Sequence, residues 1–439
     1  MLYSSEKNEI SMVLSGDAMI TRPLSVFDEP HFLALSYLFK KSDVGFTNLE
    51  MLMHDYGISP GIPGGVFAAS DPKNLKELEW FGINMVATAN NHSWDYSENG
   101  ILNHLSNLNK TNLIHSGIGK NLSEARAPGY LETKGGRVAL ISLTTTFPDA
   151  GRAVHQRPDS VGRPGVNPLG YEQIHKLPKD EIDKLKNIAE KIGYKQKFSK
   201  KNLKDNQFDF ITKIFEESND YNMDINIDNN DKDEIIKWIK DAKKAADWVV
   251  VSIHCHEDPP GGYSFNGENT PEFLMDFSKA VIDAGADVVA GHGPHVMRGM
   301  EVYNKKPIFY SLGNFIFQND TIKWHPHPVY ESVGLDHYAT PSDFYDHRYD
   351  FDTKGFPALQ DYWESIVAEC KLTKDGVKEI NLFPIELGYK MPRSQRGRPV
   401  IARQENKERI INKIAQLSAP FGTKIDFTEN GIGKVNLQT

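Results

Sequence analysis

Five polar groups in this 439-residue chain are of the types that bind metal ions or move protons, and each falls just after an apolar run. Asp17 stands in Ser-Gly-Asp-Ala-Met after Ile10–Ser15, and Asn48 and Glu50 follow Val44–Thr47. Asn91, His92 and Asp95 lie in Ala-Asn-Asn-His-Ser-Trp-Asp after Met85–Thr88. His254, His256, Glu257 and Asp258 follow Trp248–Ile253, and His292 and His295 form Gly-His-Gly-Pro-His after Asp287–Ala290. Carboxylates, an amide carbonyl and neutral imidazoles are oxygen and nitrogen donors. Such a set suits a divalent cation such as Mn, Zn, Fe, Mg or Ca, and two cysteines, Cys255 and Cys370, are too few for a thiolate zinc site. A cation held there would activate a water, polarise a carbonyl or hold a carboxylate. Each group alone has an ordinary reading: a turn, a hydrogen-bonded histidine, a strand end. In this order they read as one metal site, and Gly-His-Gly-Pro-His is the hardest of them to explain by packing.

The elements that must position these groups follow from hydrophobic patterning. The five apolar runs, with Val138–Leu143 and Pro307–Tyr310, read as buried strands bounded by turn residues. Helices are predicted at Pro72–Phe81, Ser97–Asn109 and Pro271–Ala284, the last with Thr270 as its N-cap. Strands alternating with helices predict an α/β fold with parallel pairing, whose ligands gather at the carboxyl ends of the strands. One domain is expected over 8–439. It carries a polar helical insertion at 177–244 and a lid or substrate loop at 318–362, and its C-terminal part is 363–439. The Asn226–Asp231 run in the insertion lacks the Gly and Glu spacing of an EF-hand loop. Arg163, Arg298, Arg396 and Arg398 are candidates to clamp a carboxylate or phosphate, and Trp324, His325 and His327, with Tyr330 and His337, to line the lid. Cys255 is expected to be a buried, inert thiol.

Composition narrows the partners. Lys+Arg number 50 and Asp+Glu 59, a net charge of -9, which lacks the basic surplus of a nucleic-acid binder. The fractions of 39% hydrophobic and 25% charged residues are those of a globular enzyme. Met1–Asn8 has neither the basic start nor the apolar stretch of an export leader, and no apolar run is long enough to span a bilayer. A cytoplasmic location without an integral membrane segment is therefore the expectation. The sequence says nothing of oligomeric state.

Taken together, Ser-Gly-Asp-Ala-Met, Asn48-Leu49-Glu50, Ala-Asn-Asn-His-Ser-Trp-Asp, Val-Val-Ser-Ile-His, Gly-His-Gly-Pro-His and Tyr310-Ser311-Leu312-Gly313-Asn314-Phe315 resemble the CapA-like (poly-γ-glutamate capsule synthesis) family of the metallophosphatase superfamily. Gly162–Leu169 and Gln395–Pro399 are similar to a soluble branch of it. The resemblance implies a four-layer α/β/β/α sandwich with a metal centre at the strand ends. It implies Asp17 and Glu50 as carboxylate ligands, Asn91, His254 and His292 completing the set, His295 beside it, and His92 as the residue that protonates a leaving group or orients substrate. The chain departs from superfamily phosphatases in three places. Asp17-Ala18-Met19 stands for Asp-x-His, Glu50 for the bridging Asp, and His292 and His295 are three apart instead of two. The lost imidazole should weaken one metal position. The family implies a peptide or polyglutamate-type substrate, with three readings of what happens to it. The first is hydrolysis or transfer at a γ-glutamyl or related amide. The second is epimerisation at the Cα of a ribosomal peptide's C-terminal residue, with Asp17 and His295 as acid–base pair. The third is a non-catalytic scaffold for capsule assembly.

Overall fold

The structure, a computed structural model, describes residues 9–63, 66–194, 203–260 and 267–437. Ten of its strands carry the argument: β1 (Glu9–Met19), β2 (Val44–Leu49), β3 (Met85–Ala87), β4 (Gly136–Thr144), β5 (Trp248–His254), β6 (Val288–His292), β7 (Lys306–Leu312), β8 (Asn314–Phe317), β9 (Glu364–Thr373) and β10 (Gly376–Glu386). Four helices flank them: α1 (Pro30–Lys41), α2 (Leu75–Phe81), α3 (Asn229–Ala245) and α4 (Glu272–Asp283).

The strands form two main sheets. In the first, β10, β9, β1, β2 and β3 lie side by side, and β8 also pairs with β1; in the second, β7, β6, β5 and β4 are neighbours. β1 runs parallel to β2, and β2 to β3. β4, β5, β6 and β7 are likewise parallel, whereas β9 is antiparallel to β1. Side-chain alternation explains the layers. Met12, Leu14 and Phe46 meet Val138, Val250 and Val288 in the core between the sheets. On the outer face of the first sheet, Val13 and Val86 pack under Leu35 and Phe39 of α1 and Phe81 of α2. On the outer face of the second, Ile141 and Val251 pack under Ile235 and Ile239 of α3 and Phe277 of α4. This is the expected α/β/β/α sandwich. Each large apolar side chain buried in it contributes roughly 1.5–3 kcal/mol.

Three local expectations are corrected. The helix read over Pro72–Phe81 is a 3₁₀ turn, Pro72–Asn74, followed by α2; Asp71 opens it by accepting the amide of Lys73. Thr270 does not cap α4. Pro271, extended at φ -70 and ψ 146, takes the cap position, and the Thr270 hydroxyl is buried without a partner among the described residues. The 177–244 segment is not wholly helical. After the helix Lys179–Lys191, strands Gln207–Phe210, Lys213–Glu217 and Asn222–Ile227 join Tyr171–Leu177 in a small four-stranded sheet, and α3 then returns to the main core. Their period-two pattern (Phe208, Phe210; Ile225, Ile227) is diluted by Lys, Asn and Asp, which hides it in the sequence. Residues 195–202 of that segment lie outside the described residues.

The 318–362 segment folds as short helices, His327–Glu331 and Pro341–Tyr349, with 3₁₀ turns around them. Thr340 and Asp343 form a reciprocal capping box on the second helix. No helix among the described residues is long and apolar enough to cross a membrane.

Candidate metal centre

The site is built where parallel strands of both sheets end. Register does the alignment: Asp17 is paired with Asn48 across β1 and β2, and His254 with His292 across β5 and β6. β1 approaches the β7–β8 turn so closely that a Cβ on Gly16 would lie 1.7 Å from the Gly313 carbonyl oxygen. That contact explains the Gly of Ser-Gly-Asp. The Gly-His-Gly-Pro-His turn places His295 in the left-handed region, at φ 61. Its Gly293 amide donates to Asp17 Oδ2 at 3.0 Å. Asn90 and Ser93 cap each other at the Asn91–Trp94 turn, which fixes Asn91 and His92.

Two interlocked groups of ligand atoms result: Asp17, His254 and His292, and Glu50, His256 and His295. All six residues are buried. Asp17 Oδ1 is 3.4 Å from His292 Nδ1, and Glu50 Oε1 lies 3.7 Å from His254 Nε2 and 3.8 Å from His256 Nε2. His295 Nδ1 spans the groups, 3.7 Å from Asp17 Oδ2 and 3.6 Å from Glu50 Oε2. Asn91 adds an oxygen, its Oδ1 2.9 Å from His254 Nε2.

The electrostatics are those of a site built for positive charge. Burial pushes the Asp17 carboxyl up, but hydrogen bonding and charge from His292, the charge of His295 and the Asn48 amide outweigh it and bring the pKa down to about 2. Glu50 is driven well above the usual carboxylate range by burial and then by Asp17. Burial, and then the neighbouring imidazoles His256 and His292, hold His254 well below its ordinary value; burial also lowers His295. Both are therefore neutral, as metal ligands must be. Both Glu50 oxygens are buried with no hydrogen-bond partner among the described residues. A buried carboxyl in that state either holds a proton or is balanced by a cation. The residues present fit a divalent metal.

Around these ligands stand further residues that hold them in place. Ser252 Oγ is 2.6 Å from His292 Nε2. Asn48 donates to Asp17 Oδ1 at 2.8 Å. Asp95 Oδ2 is 2.8 Å from His92 Nδ1 and also accepts the Ala68 amide. Asn314 donates to the carbonyls of His295 and Tyr362, so its Oδ1 accepts from His295 Nδ1 at 2.9 Å. The His295 proton thus sits on Nδ1 and the lone pair on Nε2. His256 stands at the expected strand end, but its place in a ligand group is not an expectation of the sequence. Its signal is the two-residue spacing from His254, which puts both on one face of an extended segment.

The substrate-clamp candidates all have partners within the chain. Arg298 is wholly buried, and its guanidinium donates to the carbonyls of Gly267, Cys255 and Glu257 and to Asp258 Oδ1. It shapes the loop that carries His256, and its donors are committed to that loop. Arg396 is buried between Asp320 and Asp352, and Arg398 makes a bidentate pair with Glu29 over the Phe27 ring. Arg163 donates to the backbone carbonyl of Arg152. In the lid segment, the buried His325 bonds Tyr345, His327 pairs with Glu331 at the surface, and Trp324 packs edge-on against Tyr56. Two phenyl rings reach His295, those of Phe317 and Phe356, with centroids 5.3 and 5.4 Å away. Cys255 is buried, as expected, and burial raises its thiol pKa.

Residues 11–319 match the model of the bacterial capsule synthesis protein family, PGA_cap. The chain belongs to that family. Both candidate ligand groups lie inside the matched span. This PGA_cap chain is similar to proteins of two kinds. The Sinorhizobium fredii uncharacterized protein y4sH is 31% identical and aligns over 97% of this chain and 93% of its own. The capsule biosynthesis protein CapA of Bacillus anthracis is 25% identical, over 71% of this chain and 61% of its own; the PGA biosynthesis protein CapA of Bacillus subtilis is 26% identical, over 72% and 64%. The chain thus spans less than two thirds of either CapA.

Proposed function

We propose that this PGA_cap protein is a metal-dependent enzyme acting on an amide or carboxylate of a peptide or γ-glutamyl substrate, by hydrolysis or transfer. The observation that carries the reading is Glu50, a fully buried carboxyl without a hydrogen-bond donor among the described residues, with the imidazoles of His254, His256 and His295 within 3.6 to 3.8 Å. The names of the two Bacillus relatives, both of capsule or PGA biosynthesis, support the substrate class. Asp17, His254 and His292 would hold one cation position and Glu50, His256 and His295 an adjacent one, with His256 supplying the imidazole that Met19 does not. A bound divalent cation supplies Lewis acidity toward a carbonyl or carboxylate oxygen and toward water. The protein does the rest. Asp95 fixes His92 through Nδ1, so Nε2 is the atom that would take a proton from the attacking nucleophile and pass it to the departing nitrogen. Phe317 and Phe356 keep water from the His295 side.

A second reading, epimerisation at the Cα of a C-terminal peptide residue, is favoured by the fixed tautomer of His295. Its Nε2 lone pair is a ready base, and Asp17 stays ionised opposite it. Asp17 Oδ2 and His295 Nδ1 are 3.7 Å apart, too close to seat a Cα between those two atoms, so Nε2 must serve.

One experiment separates the readings. Metal-loaded protein is incubated with γ-glutamyl oligomers and with ribosomal-type peptides in deuterated water, and products are weighed by mass spectrometry. Cleavage or transfer products support the first reading. An intact peptide heavier by about one mass unit, from exchange at Cα, supports the second. A protein that takes up no metal on titration sinks the metal reading, and metal uptake with no conversion of any substrate moves the assignment to a scaffold in capsule assembly.

A further inference from the structure

We infer that Glu257 is the residue that positions the His256 ligand, and that Tyr171 is the arm through which the small inserted sheet bears on it. The inference rests on the metal reading above and deepens it.

His256 needs a hold of its own. The ladder of β5 ends at His254, which pairs with Thr144 and His292, and His256 lies two residues beyond. Its amide donates at 3.0 Å to Thr146 Oγ1, two residues past the end of β4. A threonine hydroxyl has one proton and two lone pairs. The Thr146 proton points at Glu257, whose Oε1 and Oε2 lie 3.0 and 3.1 Å away, so a lone pair is left for the His256 amide. Glu257 thereby sets the orientation in which Thr146 can accept.

Three more donors converge on the same carboxylate. The Thr145 hydroxyl is 2.5 Å and the Cys255 thiol 3.2 Å from Oε2, and the Tyr171 hydroxyl is 3.0 Å from Oε1. Glu257 is buried, so these donors stand where water would otherwise solvate it. A carboxylate fixed this way fixes its neighbour in the chain, His256.

Tyr171 brings in the inserted sheet. It opens the strand Tyr171–Leu177, and its ring stacks on Phe273 of α4 with centroids 5.9 Å apart. Burial and then Glu257 raise its pKa, so the hydroxyl keeps the proton it donates. The position of the small sheet is thus passed to Glu257, and through Thr146 to His256. The other ligand group has separate supports. Asp17 and His254 are held by paired strands, Asp17 also by Asn48, and His292 by Ser252. The small sheet therefore braces the Glu50, His256 and His295 position in particular.

The test uses the full chain stripped of metal. Manganese is added stepwise and the free ion is read by electron paramagnetic resonance, which gives the affinity of each position. His256→Ala shows which affinity belongs to the Glu50, His256 and His295 position. In Glu257→Gln and Thr146→Val that affinity should fall about tenfold, and in Tyr171→Phe about fivefold, the share of one hydrogen bond. The other position should be unchanged, and Thr146→Ser, which keeps the hydroxyl, should bind as the wild type does. A merely structural role would weaken both positions together, and that result overturns the inference. Unchanged affinity in Glu257→Gln or in Tyr171→Phe overturns it as well. Should Glu257→Gln not fold, Tyr171→Phe and the contrast of Thr146→Val with Thr146→Ser decide.

A second measurement needs no metal. In the apoprotein labelled with nitrogen-15 histidine, the His256 amide is the signal absent from His256→Ala. It should exchange with deuterated water about tenfold faster in Thr146→Val than in the wild type, and faster in Tyr171→Phe too. A wild-type protein that takes up no manganese removes the metal reading, and the exchange rates then decide whether Glu257 and Tyr171 hold His256. Normal uptake, with affinity and exchange both unchanged in the variants, removes this inference only.

Discussion

At the scale of single residues, the site is a set of donors whose unpaired state is itself informative. Glu50→Gln removes the charge that balances a cation yet keeps the volume. The expected outcome is loss of the metal at the Glu50, His256 and His295 position, read as a lower metal-to-protein ratio by elemental analysis. Ser252→Ala leaves all ligands in place and removes only the bond to His292 Nε2. Metal affinity should fall about 10–100-fold, as for other groups that orient a ligating imidazole; an unchanged affinity would show that Ser252 does not hold the ring. Two other buried histidines contribute to acid stability. His104 is lowered to about 3 by burial and by His115 and His54, and His54 to about 4 by burial, which outweighs the opposing charge of Asp55. Below the unfolded value near 6.5 the unfolded chain takes up protons that the folded chain refuses, so stability falls as pH drops. The slope is about 1.4 kcal/mol per pH unit for each histidine, running from about pH 6.5 down to about 4. Urea denaturation at pH 7 and pH 5 measures it, and His104→Gln should flatten it.

At the scale of elements, the main strands are legible in the amino-acid pattern and the inserted sheet is not. Continuous Val- and Ile-rich runs such as Trp248–Ile253 are buried on both faces, so they read as strands without alternation, and the polar groups at their ends stand out against them. The inserted strands are half-exposed, and their apolar residues are spaced among Lys, Asn and Asp, so no clear period survives. The arginines are hard to read for another reason. A guanidinium serves a substrate carboxylate or a backbone carbonyl equally well, and only tertiary structure shows that Arg298 is already occupied by Cys255, Gly267 and Glu257. Asn314 is visible within a motif, but its grip on His295 depends on the turn that brings Gly-His-Gly-Pro-His over β8. Close packing of elements yields its own prediction. Gly16→Ala puts a methyl against the Gly313 carbonyl and should cost roughly 1–3 kcal/mol or more in urea denaturation, with loss of metal as Asp17 is displaced.

At the scale of the molecule, the 318–362 segment and the C-terminal part are tied together by charge. Arg396 Nε donates to Asp320 at 2.6 Å and Nη1 to Asp352 at 2.8 Å, against the face of Trp363. Arg396→Ala strands the buried Asp320 and should destabilise the fold by about 3–5 kcal/mol, and adding Asp320→Asn should restore part of it. A thermal melt of the two variants checks this; equal melting temperatures for wild type and Arg396→Ala would mean the pair is dispensable. The order of the strands has a temporal consequence as well. β1 is enclosed by β2 on one side and by β9 on the other, with Glu9 opposite Thr373. At about 5–20 residues per second, roughly 20–70 s separate the emergence of Met19 from that of Glu364 on a ribosome. Throughout that interval the Glu9–Leu14 part of that edge has no partner and can template wrong pairings. A nascent chain arrested after Tyr362 should therefore stay protease-sensitive and bind holding chaperones, and release of the β9–β10 hairpin should be the event that commits it to the native fold.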